Sequence, residues 1–184
     1  MEMVCHFYRL ALFSVFLLVT IQPLRAASGE TLARDFVQAN PPQQMPSLTF
    51  SDANGRVVSL DAFRGHFLLL NFWATWCPPC VSEMPSLAAL PQKIDPAQLI
   101  VLTLDEDRDG QTAAPHFFNR HGITSLPLYI DESRRALSRL DLHHIPTTFL
   151  IDPGGREIGR VSGDIDWTAA ESVAFLRAAI GSGK

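Results

Sequence analysis

The chain has 184 residues, 47% hydrophobic and 18% charged, with a formal net charge of −4. That composition describes one folded domain with a proper core and excludes a disordered chain. The basic residues are scattered, Arg134-Arg135 being the only adjacent pair, so there is no nucleic-acid footprint and no nucleic-acid partner is expected.

The first 27 residues differ from the rest. Arg9 precedes an apolar run from Leu10 to Ile21, broken only by Ser14 and Thr20, and Pro23-Leu24-Arg25-Ala26-Ala27 follows. A short basic start, an apolar centre and small residues at the end form a secretory leader. The run is too short to cross a hydrocarbon core of about 30 Å at about 1.5 Å per residue. Residues 1–27 are therefore expected to be a signal peptide or an N-terminal membrane anchor, with the domain on the extracytoplasmic side. Residues 28–44 read as a tether with a short helical patch at Leu32, Phe36 and Val37, ended by Asn40-Pro41-Pro42. Residues 45–184 form the domain.

Its first part reads as a hairpin. Leu48-Thr49-Phe50 and Arg56-Val57-Val58-Ser59-Leu60 flank an Asp52-Ala53-Asn54-Gly55 turn, and Asp61 to Gly65 adds one helical turn. Phe67 to Phe72 is an apolar run suited to a strand buried on both faces. It leads into Asn71-Phe72-Trp73-Ala74-Thr75-Trp76-Cys77-Pro78-Pro79-Cys80. Prolines in a first helical turn cost little, so a helix begins here with Cys77 at or just before its N-terminus.

The partial positive charge at that position favours a thiolate. Cys77, as the N-terminal and exposed member, is assigned as the nucleophile, and Cys80 as the residue that resolves a mixed disulfide. The pair is expected to close a Cys77–Cys80 disulfide and to catalyse thiol–disulfide exchange. Cys5 lies in the leader, so the mature domain keeps only this pair. So short a loop removes little entropy from the unfolded chain, which makes a purely structural staple a poor explanation.

Pro85 is expected to kink or end the active-site helix. Leu99 to Leu104 reads as a second buried strand, and Asp105 to Gly110 as a solvated acidic loop without the spacing of a calcium site. A helix from Thr112 to His121, a strand from Leu126 to Ile130 and a short helix from Arg135 to Leu142 follow. Then come His143-His144-Ile145-Pro146-Thr147, a turn at Asp152 to Arg156, a last strand from Glu157 to Val161 and a closing helix from Thr168 to Ile180.

The string from Asn71 to Cys80, with Glu83-Met84-Pro85 and the later Ile145-Pro146-Thr147, resembles the TlpA/ResA-like extracytoplasmic thioredoxins, a group that includes the cytochrome c maturation reductases. The resemblance runs from about Met45 to Ile180. It implies an α/β, thioredoxin-like fold with a central mixed β-sheet flanked by helices, an N-terminal β-hairpin and a central helix–strand insertion. It implies a cis peptide before Pro146, lying against the cysteines, and a client-binding face that includes Trp76, Ile145 and Pro146. The backbone there would pair with a substrate peptide as an added strand.

In thioredoxin a buried aspartate occupies the place of Asn71. Glu83, three residues after Cys80 and on the same helical face, is the replacement proton acceptor, as the resemblance also implies. A solvated glutamate at a helix start is the plain alternative. The implied activity is reduction of client disulfides, such as those of apocytochrome c or copper-site proteins. The implied electron source is a membrane thiol donor of the DsbD/CcdA type, and no cofactor is needed. A peroxiredoxin-like peroxidase is a second reading, although no Pro-x-x-x-Thr-x-x-Cys pattern precedes Cys77. A copper or zinc module is a third. Two cysteines supply half of a closed zinc site, and of the adjacent His143 and His144 only one could join it.

Overall fold

The computed structural model describes residues 32–182, so the leader, its Cys5 and the anchor expected at residues 10–21 lie outside the described residues. Eight strands form one mixed sheet in the order β1-β8-β7-β4-β5-β6-β2-β3. They are β1 (Val37–Gln44), β2 (Thr49–Asp52), β3 (Val57–Ser59), β4 (Phe67–Trp73), β5 (Leu99–Asp105), β6 (Leu128–Ile130), β7 (Thr147–Ile151) and β8 (Arg156–Ser162). The helices are α1 (Leu32–Asp35), α2 (Pro78–Ala89), α3 (Gly110–His121), α4 (Arg135–Arg139) and α5 (Ala170–Ser182). β4, β5 and β6 run parallel, and the remaining pairings are antiparallel. Among the described residues no helix is long and apolar enough to cross a membrane.

β4 sits at the centre because all seven of its residues can be buried. Side chains alternate faces along a strand. Phe67, Leu69 and Trp73 enter one core with Met84 and Leu87 of α2 and Leu176 of α5. Leu68, Leu70 and Phe72 enter the other with Leu60, Ala136 and Phe149. Each such side chain contributes on the order of 1.5–3 kcal/mol on full burial. Asn71, the one polar residue of β4, follows the odd-numbered set and faces α2.

The expected hairpin is present, with Phe50 opposite Val58, followed by a 3₁₀ turn at Leu60–Phe63. The helix–strand insertion is α3 and β6, with β6 continuing the parallel run beside β5. α2 runs through Pro85 to Ala89 and passes into a 3₁₀ turn at Leu90–Gln92. The expected early end does not occur. Pro85 removes one backbone donor, while the buried Met84 and Leu87 on either side hold the helix to the sheet.

The segment expected to be a tether joins the sheet instead. Val37–Gln44 pairs antiparallel with β8, and the register shifts between Gln38 and Gln43, where Pro41 and Pro42 lie. Prolines are tolerated there because β1 is an edge strand. Gly159 of β8 makes the approach possible, since a Cβ there would stand 2.5 Å from both the Phe36 ring and the Val37 carbonyl oxygen. Phe36 packs edge-on against Phe175 of α5.

The acidic run after β5 is not the solvated loop expected. Asp105, Glu106 and Asp107 are all buried. Asp107 Oδ2 accepts the Thr75 N–H at 2.9 Å, and the Glu106 N–H donates to the Trp73 carbonyl at 2.9 Å. The run therefore braces the loop that leaves β4. Gly110 opens α3 directly over it, where a Cβ would meet Asp105 Oδ2 at 2.5 Å.

Among the described residues neither carboxyl oxygen of Glu106 has a hydrogen-bond partner, and burial, followed by Asp131 and Asp105, pushes its pKa up to about 9. Burial first, then Asp107, raises Asp105 to about 8. The sign of the linkage follows. Below the unfolded value of 4.5 both states hold the Glu106 proton, and nothing is gained or lost. Above it the unfolded chain releases the proton while the folded chain keeps it, so stability falls until about pH 9. Glu106→Gln keeps the shape without an ionisable group. It is expected to flatten the dependence of unfolding free energy on pH by up to about 1.4 kcal/mol per unit within that window. Urea titrations of the disulfide-intact protein at several pH values would measure this, and an unchanged slope would count against it.

Candidate active site

The loop Ala74-Thr75-Trp76 carries the chain from β4 into α2. Its geometry is fixed by backbone bonds: the Cys77 N–H donates to the Ala74 carbonyl at 3.2 Å, and the Val81 N–H to the Cys77 carbonyl at 3.0 Å. Cys77 is the N-cap of α2 in an extended conformation, with Pro78 and Pro79 in the first turn. Its Sγ accepts the Cys80 N–H at 3.3 Å. The sulfur thus receives one of the donors that a helix start leaves unpaired.

Cys77 and Cys80 are joined in a disulfide, with Cα atoms 5.3 Å apart. Cys77 is less open than expected, at 4% exposure against 1% for Cys80. Trp76 beside it is 58% exposed, and the Arg134 guanidinium sits 5.6 Å from the centre of its ring.

The peptide between Ile145 and Pro146 is cis. The Ile145 carbonyl oxygen lies 3.7 Å from Cys77 Sγ, a van der Waals contact in the disulfide that a free thiol could turn into a hydrogen bond. The turn is held from behind, because the Gly163 N–H donates to the Pro146 carbonyl at 2.9 Å and Thr147 Oγ1 donates to the His144 carbonyl at 2.9 Å. The cis turn, 68 positions from Cys77 in sequence, is thereby brought against the disulfide through the Ile145 carbonyl, on a sulfur whose chain neighbour is Trp76.

Glu83 lies one turn beyond Cys80 on α2 and is 3% exposed, so it is not the solvated residue of the plain alternative. Its Oε1 accepts the indole N–H of Trp167, and its Oε2 accepts from Asn71 Nδ2 at 3.1 Å. Asn71 Nδ2 also donates to Thr148 Oγ1 at 2.9 Å, a contact set by the pairing of β4 with β7. Burial pushes the Glu83 pKa up to about 8, while the Trp167 and Asn71 donors oppose the rise. Glu83 also lines a cleft of about 490 Å³ between α2 and the segment Asp164–Thr168.

Among the described residues no group of three or more His, Cys, Asp or Glu side chains could hold a metal ion. His143 and His144 are both exposed. The participation of Trp167 was not legible in the sequence, where it is a lone tryptophan in an Asp-Ile-Asp-Trp loop. The Asn71–Glu83 bond is partly legible, since helical spacing places Glu83 on the Cys80 face and the family resemblance places Asn71 beneath the disulfide.

Comparison with known proteins agrees with this geometry. Residues 41–156 match the AhpC/TSA family. The chain is 31% identical over 154 residues to the thiol-disulfide oxidoreductase ResA of Bacillus thuringiensis, covering 82% of this chain and 88% of that protein. It is 32% identical over 152 residues to ResA of Geobacillus thermodenitrificans, covering 80% and 84%. Among solved structures, StoA from Bacillus subtilis superposes with a TM-score of 0.59 at 20% identity, over 70% of this chain and 96% of that one, which shows a shared fold. The chain thus belongs to the AhpC/TSA family and, within it, to the thioredoxin-fold thiol-disulfide oxidoreductases of the ResA type.

Proposed function

We propose that this thiol-disulfide oxidoreductase works outside the cytoplasm as a reductase of client-protein disulfides. Residues 1–27 serve as its leader or anchor, and the domain they deliver includes β1 as well as residues 45–182. The observation that carries the reading is the disulfide at the N-cap of α2 with the buried Glu83 carboxyl one turn beneath it.

In the reduced protein the Cys77 thiolate attacks a client disulfide. A bond forms between Cys77 Sγ and one client sulfur, and the other client sulfur leaves as a thiolate. Cys80 gives its proton to ionised Glu83 and attacks Cys77 Sγ, which closes the Cys77–Cys80 disulfide and releases the second client thiolate. Two electrons have passed to the client. Regeneration needs a dithiol donor, and a membrane carrier of the DsbD/CcdA type fits an oxidising compartment. Its first thiolate opens the disulfide at Cys77, and Cys80 leaves and takes the proton of neutral Glu83. The donor's second thiolate then attacks the donor sulfur of the mixed disulfide, which closes the donor's own disulfide and releases the Cys77 thiolate. A carboxyl with a pKa of about 8 is suited to both transfers near neutral pH. Trp76 and the Ile145–Pro146 backbone bind the client peptide. Haem-attachment or copper-site cysteine pairs are the proposed client class, as the resemblance to cytochrome c maturation reductases suggests.

Two measurements test the assignment. Glu83→Gln is expected to slow disulfide reduction by about 10²-fold, the lower end of general acid–base contributions, and to remove the pH dependence near 8. Stopped-flow reduction of a peptide disulfide would read both, and wild-type rates would remove Glu83 from the mechanism. Cys80→Ser is expected to accumulate mixed disulfides on Cys77 in cells, and mass spectrometry of the trapped species would identify the clients. A reduction potential near about −120 mV, the scale of a strong oxidant, would reverse the proposed direction of electron flow.

A further inference from the structure

We propose that Trp167 is a positioning residue whose indole N–H, donated to Glu83 from the loop after β8, fixes the carboxyl and sets how readily it trades a proton with Cys80. The inference rests on the role given to Glu83 above and extends it to a residue on a different element.

The geometry leaves Trp167 little freedom. It is 1% exposed, and its indole N–H donates to Glu83 Oε1. Its backbone N–H donates to Ser86 Oγ at 3.1 Å. Ser86 sits on α2 three residues after Glu83, and its hydroxyl has the Glu83 carbonyl at 2.8 Å and the Ile165 carbonyl at 3.2 Å as acceptors. The loop is therefore fastened to the helix at both the backbone and the ring of Trp167.

The chemistry of the donor decides the effect. An indole N–H can only donate, whatever the protonation state of its partner. A hydrogen bond to a charged oxygen is about twice as strong as one to a neutral oxygen, so the ring favours the carboxylate. Among the groups facing Glu83, α2 supplies the Cys77–Cys80 disulfide, β4 supplies Asn71, and the loop itself supplies Asp164, which opposes ionisation. Burial opposes ionisation more strongly than any of these, and Trp167 is the largest influence in the other direction.

Asn71 behaves differently from Trp167. Its Oδ1 is buried without a partner among the described residues, while its Nδ2 faces Glu83. A half-turn of the amide would let that oxygen accept the proton of neutral Glu83, so Asn71 can serve either protonation state. Trp167 serves one, as does the backbone of Ile165, which has the smaller influence, so Trp167 is the side chain that biases the equilibrium.

The test compares wild type, Trp167→Phe and Glu83→Gln in the pH dependence of reduction of a peptide disulfide. Removing the donor while keeping most of the ring is expected to move the Glu83 midpoint upward by about one pH unit, a tenfold change in its ionisation. A folded Trp167→Phe protein with an unmoved midpoint overturns the inference. Nitrogen-resolved NMR of the intact protein gives a second readout that needs no Trp167 variant. One of its three indole N–H signals is expected to titrate with a midpoint near 8 and to stand still in Glu83→Gln. If no indole signal follows Glu83, the inference fails even where Glu83→Gln abolishes the pH dependence, and the assignment of Glu83 stands. If Glu83→Gln leaves the exchange unchanged, that assignment fails and takes this inference with it.

Discussion

A carboxyl that is 3% exposed and has no cation beside it must be held by neutral donors or lose its charge. Glu83 meets this constraint with two side-chain N–H groups, Asn71 on β4 and Trp167 after β8, and with the backbone of Ile165 in the same loop as Trp167. Each side-chain donor depends on a different part of the fold. Asn71 faces α2 because β4 alternates its side chains, and it is steadied by Thr148 because β4 pairs with β7. Trp167 reaches Glu83 because the chain leaving β8 crosses the side of α2 before α5 begins. Sheet, helix and closing segment therefore meet at one acid.

The acidic run after β5 adds a second buried reserve of protons on another side of the same loop. Asp107 holds the Thr75 backbone, while Asp105 and Glu106 lie behind it with pKa values raised to about 8 and about 9. Burial holds Asp105 and Glu106 on the neutral side while the run braces the loop through the Asp107 carboxylate and the Glu106 N–H. The arrangement costs stability as pH rises.

How far the sequence could be read differed by kind of residue. The Cys-Pro-Pro-Cys string after an apolar run located the disulfide, and periodicity on α2 put Glu83 under Cys80, because both are local relations. The Ile145-Pro146 turn was legible through family resemblance, since composition cannot say which distant loop closes over a helix start. β1 was missed because Pro41 and Pro42 look like a break, and only an edge position beside Gly159 makes them compatible with a strand. The acidic run was misread for a related reason. Consecutive acids signal solvent unless a parallel strand end, a glycine-opened helix and a neighbouring loop enclose them, and those are tertiary facts. Trp167 carried no local signal, because its meaning lies in an acid 84 positions earlier.

In the proposed cycle, a neutral Glu83 beneath the closed disulfide corresponds to a molecule waiting to be reduced. When a donor thiolate opens the disulfide, the departing Cys80 sulfur needs a proton at once, and the nearest carboxyl on its helix face already carries one. When the reduced protein meets a client, the same group must have lost that proton in order to take the one from Cys80. A much lower pKa would serve the second step and fail the first, and a much higher one the reverse. Burial alone drives the acid toward the neutral extreme, and the N–H donors pull it back. An acid balanced in this way accelerates exchange in both directions. The direction of net flow is then left to the redox potential of the cysteine pair and to the partner that supplies electrons.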